Sequence, residues 1–138
     1  MNAAFVDTDV LVRLIAGDDP SKRRAAEVLF MSVEDGQVTL ACPVTVIADA
    51  VYVLTSPRFY AMDRGHVAAA LTLLVDLPHF RVDRRRLVLQ ALELFAATRL
   101  DFGDAMLVAS MEEAGVTTLY SYDRDYDRLP QIHRQEPC

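Results

Sequence analysis

Ala3-Ala4-Phe5-Val6-Asp7-Thr8-Asp9-Val10-Leu11-Val12 is the stretch on which the reading of the whole chain turns. Small and apolar residues lead straight into Asp7. A second apolar run follows at Val10–Val12, broken by Arg13 and resumed at Leu14 and Ile15. A short unbroken apolar run predicts a strand buried on both faces, as in a parallel sheet. Asp7 then stands at the carboxyl end of the first strand, where open α/β sheets place their ligand sites. A carboxylate there is either a cap for the next helix or a site residue. The choice depends on whether other carboxylates reach the same edge.

The rest of the chain alternates. Leu11, Leu14 and Ile15 form one side of a short helical segment that breaks at Gly17-Asp18-Asp19-Pro20. Asp19 and Pro20 make an N-cap and first-turn pair for a helix with Ala25, Ala26, Val28 and Leu29 on its apolar side, closed by Asp35-Gly36. Val38–Cys42 predicts a strand stopped by Pro43, and a helix runs from Val44 to Leu54. After the loop Thr55–Arg58 comes a helix over Asp63–Leu74, then a break at Pro78. Phe80-Arg81-Val82 predicts a short edge strand, because its middle residue is charged. Asp83 is expected to cap a helix through Ala97. Asp101-Phe102-Gly103-Asp104 opens another to Ala114, closed by Gly115. Thr117–Tyr120 reads as a strand, Ser121–Arg128 as a polar loop, and the neighbourhood of Ile132 as a last short strand. The alternation predicts one α/β domain over residues 1–138, a parallel sheet with helices on both faces.

Composition narrows the function. The 138 residues suffice for a real core, and 52% are hydrophobic. No apolar run approaches the roughly 20 residues that span a bilayer, and no basic leader precedes an apolar stretch, so neither a membrane anchor nor a signal peptide is expected. Cys42 and Cys138 make neither a disulfide framework nor a zinc site, which fits a reducing, cytoplasmic setting. With 20 acids against 14 bases the net charge is −6, which excludes a protein held to nucleic acid by bulk charge. All the bases are Arg except Lys22, and Arg recognises phosphate with a planar fork.

The remaining carboxylates carry the chemistry. Asp49 is the only formally charged residue in Val46–Leu54, a helix so apolar that burial nearly all round is expected. A buried carboxylate needs an Arg partner, a thin polar stripe shared with Thr45, or a polar pocket or cation. Asp101 reads as an N-cap. Asp104 would project from the first turn of the same helix, near the ligand edge. Asp123, Asp125 and Asp127 follow the Thr117–Tyr120 strand, Asp123 nearest its end. His66, His79 and His133 show no ligand spacing, and neither a nucleophile elbow nor a glycine-rich phosphate loop is present. Clustered carboxylates repel one another and call for a hard, oxygen-liking ion such as Mg²⁺ or Mn²⁺. Such ions activate water and stabilise charge in phosphodiester cleavage.

Four blocks in order carry a family resemblance: Phe5–Arg13 with Gly17-Asp18-Asp19-Pro20 behind it, Val46–Leu54, Leu100–Leu107, and Tyr120–Tyr126. Over nearly its whole length the chain resembles a PIN-domain ribonuclease, and within that group the VapC toxins of bacterial toxin–antitoxin pairs. The resemblance implies a three-layer α/β/α fold around a five-stranded parallel sheet. It places the acids that bind Mg²⁺ or Mn²⁺ and act in catalysis on Asp7, Asp49, Asp104 and Asp123, with Asp125 an alternative for the fourth. Asp49 stands where the family usually has Glu, which retracts the carboxylate by about one methylene. Asp9 stands where Asn is usual. Ser121 matches a small hydroxyl residue that helps position the site, and Thr8, Asp9, Asp101 and Asp125 are candidate supporting residues beside it. The implied reaction is endonucleolytic cleavage of RNA by metal-activated water, leaving a 5′-phosphate and a 3′-hydroxyl. The implied partners are a second copy of the chain and an antitoxin whose tail covers the acidic groove, often with an Arg. Candidate backbone contacts are Arg13, Lys22, Arg23, Arg24, Arg58, Arg64 and Arg84-Arg85-Arg86, with Arg58 and Tyr60 the better placed.

Two other readings compete. Asp7-x-Asp9 after an apolar strand also begins the haloacid-dehalogenase-type phosphatases, but those need a lysine at a separate element end, and Lys22 just after Pro20 is poorly placed. A PIN-like domain that binds RNA or a partner without cutting is the second, and metal-linked stabilisation distinguishes it.

Overall fold

Residues 2–138, the Asn2 side chain apart, are described by a computed structural model. The order is β1 (Asn2–Phe5), α1 (Thr8–Ala16), α2 (Pro20–Glu34), β2 (Val38–Cys42), α3 (Val44–Thr55), α4 (Arg64–Val75), β3 (Phe80–Val82), α5 (Arg85–Ala97), α6 (Phe102–Ala114), β4 (Thr118–Tyr120) and β5 (His133–Gln135). Side-chain caps start four of the helices. Asp7 accepts from the Thr8 N–H, Asp19 from Lys22, Asp63 from His66 and Asp101 from Asp104, each satisfying an orphan donor. Gly17 and Gly115, with φ of 68° and 69°, close α1 and α6 in the left-handed conformation that side chains disfavour.

The strands are all parallel, but they form two hydrogen-bonded sets rather than one five-stranded sheet. The first has the order β1-β2-β3, with Ala3 opposite Thr39 and Leu40 opposite Phe80. The second pairs β4 with β5, Leu119 opposite Arg134. β3 lies at an edge with Arg81 exposed, as its charged centre predicts. β1 is the other edge. Its expected burial on both faces fails: Phe5 is 80% exposed, because β1 pairs with β2 alone and β4 packs elsewhere.

Most apolar burial lies around the first set, where Leu11, Ile47, Leu54, Leu71, Leu92 and Phe95 join Phe30 and Phe80. The two phenylalanines meet edge to face, centroids 5.5 Å apart. A smaller cluster joins Leu100, Val108, Met111, Tyr126 and Ile132, with Leu119 and Leu129 against it. α6 serves both. Phe102, Ala105 and Ala109 face the main core, and Val108 and Met111 face the smaller one, which explains a helix apolar on two sides.

Three local expectations are corrected. Asp83 does not cap α5. That place belongs to Arg84 at φ 54°, while the Asp83 N–H reaches the Cys42 carbonyl to extend the sheet. The segment after β4 is not all loop, since Arg124–Arg128 forms a 3₁₀ turn. α3 is not buried nearly all round: Thr45, Asp49 and Tyr52 are exposed along one stripe, so Asp49 is in solvent and the desolvation argument for it lapses.

Candidate active site

The site is built outward from the first turn of α6. Asp101 caps the helix, its Oδ1 accepting the Asp104 N–H at 2.8 Å. Phe102 and Ala105 are buried in the main core and set the helix rotation, which leaves Asp104 half-buried. Arg64 holds the turn just before it. Its Nη2 donates to the carbonyls of Phe95 (2.9 Å), Thr98 (3.2 Å) and Leu100, and the guanidinium lies over the Phe95 ring, 3.6 Å from the centroid. One side chain from α4 thus ties the end of α5 to the start of α6. Burial lowers the Arg64 pKa, and the charge of Asp101 opposes that shift.

Tyr126 closes the site from the other side. It is buried, and its hydroxyl donates to the Asp104 carboxylate. Burial raises the Asp104 pKa. The Tyr126 hydrogen bond offsets part of that, and the like charges of Asp101, Asp123 and Asp125 raise it further. The Tyr126 phenol is pushed well above its ordinary range, first by burial, then by its bond to Asp104 and the nearby negative charges. Asp123 starts the 3₁₀ turn: its Oδ1 accepts the Asp125 N–H at 2.9 Å, and its own N–H donates to Ser121 Oγ at 3.0 Å. The Ser121 N–H donates to the Gln135 carbonyl, fixing the loop to β5. Arg134 fastens the same segment, with Nε at 2.9 Å from Asp127 and Nη1 on the Ser121 carbonyl (3.0 Å) and Glu136 (2.8 Å).

Asp101, Asp123 and Asp125 therefore act on Asp104, and Asp101, Asp104 and Asp123 on Tyr126. Asp7 stands at the carboxyl edge of the first sheet, where the Val6 N–H bonds the Ala41 carbonyl at 3.0 Å. Its Oδ1 is engaged with the Thr8 N–H at 2.7 Å. Thr8 is half-buried and Asp9 exposed on the first turn of α1, and Asp49 is exposed on the second turn of α3. Among the described residues neither Asp7, Asp9 nor Asp49 bonds to the Asp104 group, and no three His, Cys, Asp or Glu side chains converge to hold a metal ion. The donors are nonetheless all hard oxygens. Mg²⁺ is ordinarily held through only one or two carboxylates plus water, so the donor chemistry fits that ion, with Asp104 and Asp123 the best placed residues.

The candidate RNA contacts separate. Arg13 Nη1 straddles Asp18 at 3.1 and 3.2 Å, and the Tyr60 hydroxyl donates to the same carboxylate at 2.8 Å. These bonds hold the Asp18 pKa below the usual range and tie the α1–α2 turn to the loop after α3. Arg85 likewise turns inward to the carbonyls of Leu77, Pro78 and Phe80, and Arg64 is engaged as described. Arg58 alone of the favoured pair is exposed and, among the described residues, uncommitted to an acid, its guanidinium 5.9 Å from the Phe59 centroid. Tyr126 is the site residue that the sequence reading passed over. Its signal was a lone aromatic at the centre of an otherwise charged run, Asp123–Arg128.

Known proteins supply the context. No curated protein matches the chain. Among solved structures, VapC20 of Mycobacterium tuberculosis, described as a sarcin–ricin loop cleaving toxin, overlays with a TM-score of 0.41 at 20% identity, over 92% of this chain and 95% of that one. VapBC2 from Rickettsia felis, bound to a DNA fragment from its promoter, overlays with a TM-score of 0.36 at 13% identity, over 99% and 98%. The family model of the PIN domain matches residues 4–132, a span that takes in Asp7, the acid-bearing helices α3 and α6, and the loop after β4, and the chain therefore belongs to the PIN domain family.

Proposed function

We propose that the chain is a divalent-metal-dependent endoribonuclease, the toxin of a VapC-type type II toxin–antitoxin pair, acting in the cytoplasm as one domain over residues 1–138. The observation that carries the reading is the half-buried Asp104 carboxyl at the start of α6, capped by Asp101 and held in the field of Asp123 and Asp125 on the 3₁₀ turn, in a chain of the PIN domain family. Three like charges around a half-buried carboxyl make a site that favours a cation. Mg²⁺ or Mn²⁺, when bound, supplies Lewis-acid activation of water and neutralises phosphodiester charge. Asp104 and Asp123 would hold the ion, and Asp7 would complete the acid set. Asp49, exposed and one methylene short of Glu, acts at longer reach. Asp101 and Tyr126 orient Asp104, and Ser121 orients Asp123. The chain pairs with a second copy, and an antitoxin with a basic tail neutralises the acidic site.

The test is cleavage of structured RNAs by purified, partner-free protein with Mn²⁺, with Mg²⁺ and with EDTA, beside Asp7→Asn and Asp104→Asn. Metal-dependent cutting that both substitutions abolish is the expected result. One observation favours a binding-only domain instead, the lack of a three-acid cage among the described residues. That reading predicts no cutting and no rise in Tm with Mn²⁺.

A further inference from the structure

α3 carries a second feature beside Asp49. Tyr52 lies three residues on, so one turn along the same stripe, and is 59% exposed. Phe59, from the loop after α3, meets it edge to face at 6.2 Å and is 54% exposed. Arg58 lies against the Phe59 ring. Two large aromatics left this exposed call for an occupant.

The pair is held in place. The Ser56 carbonyl accepts the N–H groups of Phe59 (3.0 Å) and Ala61 (2.9 Å), Ser56 Oγ accepts that of Arg58 (3.2 Å), and the Met62 N–H reaches the Leu54 carbonyl (2.8 Å). Ala61 sits at φ 48°, a conformation an L residue keeps only where its surroundings impose it. The Tyr60–Asp18 bond pins the loop from outside. Tyr52 also reaches the start of α6: a cleft of about 300 Å³ is lined by Tyr52 and Thr55 together with Arg64, Asp101, Phe102 and Gly103.

We infer that Tyr52 and Phe59, with Arg58 beside them, form a stacking platform for one unpaired base of the RNA substrate, the chain of phosphates then passing along the cleft toward Asp104. Every base offers a π-face to an aromatic ring, and Arg58 supplies the positive charge for the adjacent phosphate. A duplex cannot present such a base, so the platform selects single-stranded or looped RNA. The inference rests on the ribonuclease reading for the identity of its ligand.

The experiment uses the full chain carrying Asp104→Asn and two probes: a single-stranded RNA oligonucleotide with one 2-aminopurine, and the same strand annealed to its complement. Expected are quenching of the single-stranded probe on binding and a Kd raised roughly five- to hundredfold by Tyr52→Ala or Phe59→Ala. Tyr52→Phe and Phe59→Tyr should retain both quenching and affinity, and the duplex should show neither. Leu73→Ala, at another exposed apolar residue, serves as control and should change nothing. Thermal melts confirm that each variant is folded. Unchanged Kd and quenching in the alanine variants, or no binding of the single-stranded probe, overturns the platform and leaves that face to a protein partner. Cutting by the native chain is scored separately against Asp7→Asn, so loss of the nuclease reading and loss of the platform give different patterns.

Discussion

The region around β1–β3 and the region of β4, β5 and the 3₁₀ turn are built by different means. The first rests on a large apolar core, with buried phenylalanines and leucines from all six α-helices. The second buries five residues and relies on polar fastenings, with Arg134 spanning Asp127, Glu136 and the Ser121 carbonyl and Asp123 capping the turn. α6 is their common wall. Asp104, at its first turn, takes its position from the larger region and its charged neighbours from the smaller one. Local stability follows buried apolar contact, so the part that brings Asp123 and Asp125 to Asp104 is the part that opens more readily.

The largest effect that would break or sharpen this contrast is on cutting. Asp104→Asn and Asp7→Asn are each expected to lower the single-turnover rate by about a hundredfold or more, the scale of losing one charge-stabilising group. Should Asp7→Asn cut normally while Asp104→Asn does not, the site belongs to the α6 seam alone and the edge of the first sheet has no part in it.

Core truncation comes next. Leu92→Ala in the main core should cost about 2–5 kcal/mol of global stability in urea unfolding. Ile132→Ala should cost less globally and show itself as faster amide exchange confined to β4 and β5. Equal global losses would mean that the two clusters are one cooperative unit.

Arg134→Met should speed exchange at Leu119 and Tyr120 and leave β1–β3 unchanged. The pH dependence has a definite sign. Arg134 holds the Asp127 pKa below its ordinary value, so the pair stabilises above the unfolded-state pKa of about 3.9 and is lost as pH falls through the lower folded value. The difference between native and variant exchange should therefore shrink in acid.

The smallest effect runs the other way. Burial and like charges raise the Asp104 pKa, so the folded state holds this proton more tightly than the unfolded one. Its ionisation then costs stability as pH rises above the unfolded value. Asp104→Asn keeps an acceptor for Tyr126 and removes the charge. In metal-free protein at neutral pH it should raise Tm by a few degrees at most, under about 1 kcal/mol, with the gain vanishing in acid. The same substitution should remove any rise in Tm produced by Mn²⁺.

Much of the fold was legible because short-range chemistry wrote it. Asp19 before Pro20 and Asp101 before Phe102 start helices where expected, Gly17 and Gly115 end them, and Arg81 marks β3 as an edge. The candidate acids were legible in the same way, from carboxylates placed just after strands and at helix starts. Other features were not legible. Arg84, not Asp83, begins α5, because the fold sends the Asp83 N–H to Cys42, forty-one residues back in the chain (83 − 42). Asp49 looked buried in its apolar segment, yet the packing of α3 turns that stripe to solvent.

The sequence by itself determined the alternation of strands and helices, the element ends, and the residue types available for chemistry, since caps, breakers and apolar periodicity act within a few residues of one another. Only the tertiary structure decided which acids share a field, that Tyr126 is buried against Asp104, that Arg64 and Arg13 are engaged while Arg58 is exposed, and that the strands fall into two sets. Those outcomes depend on desolvation and on contacts between residues far apart in the chain. Neither exists until the core has formed.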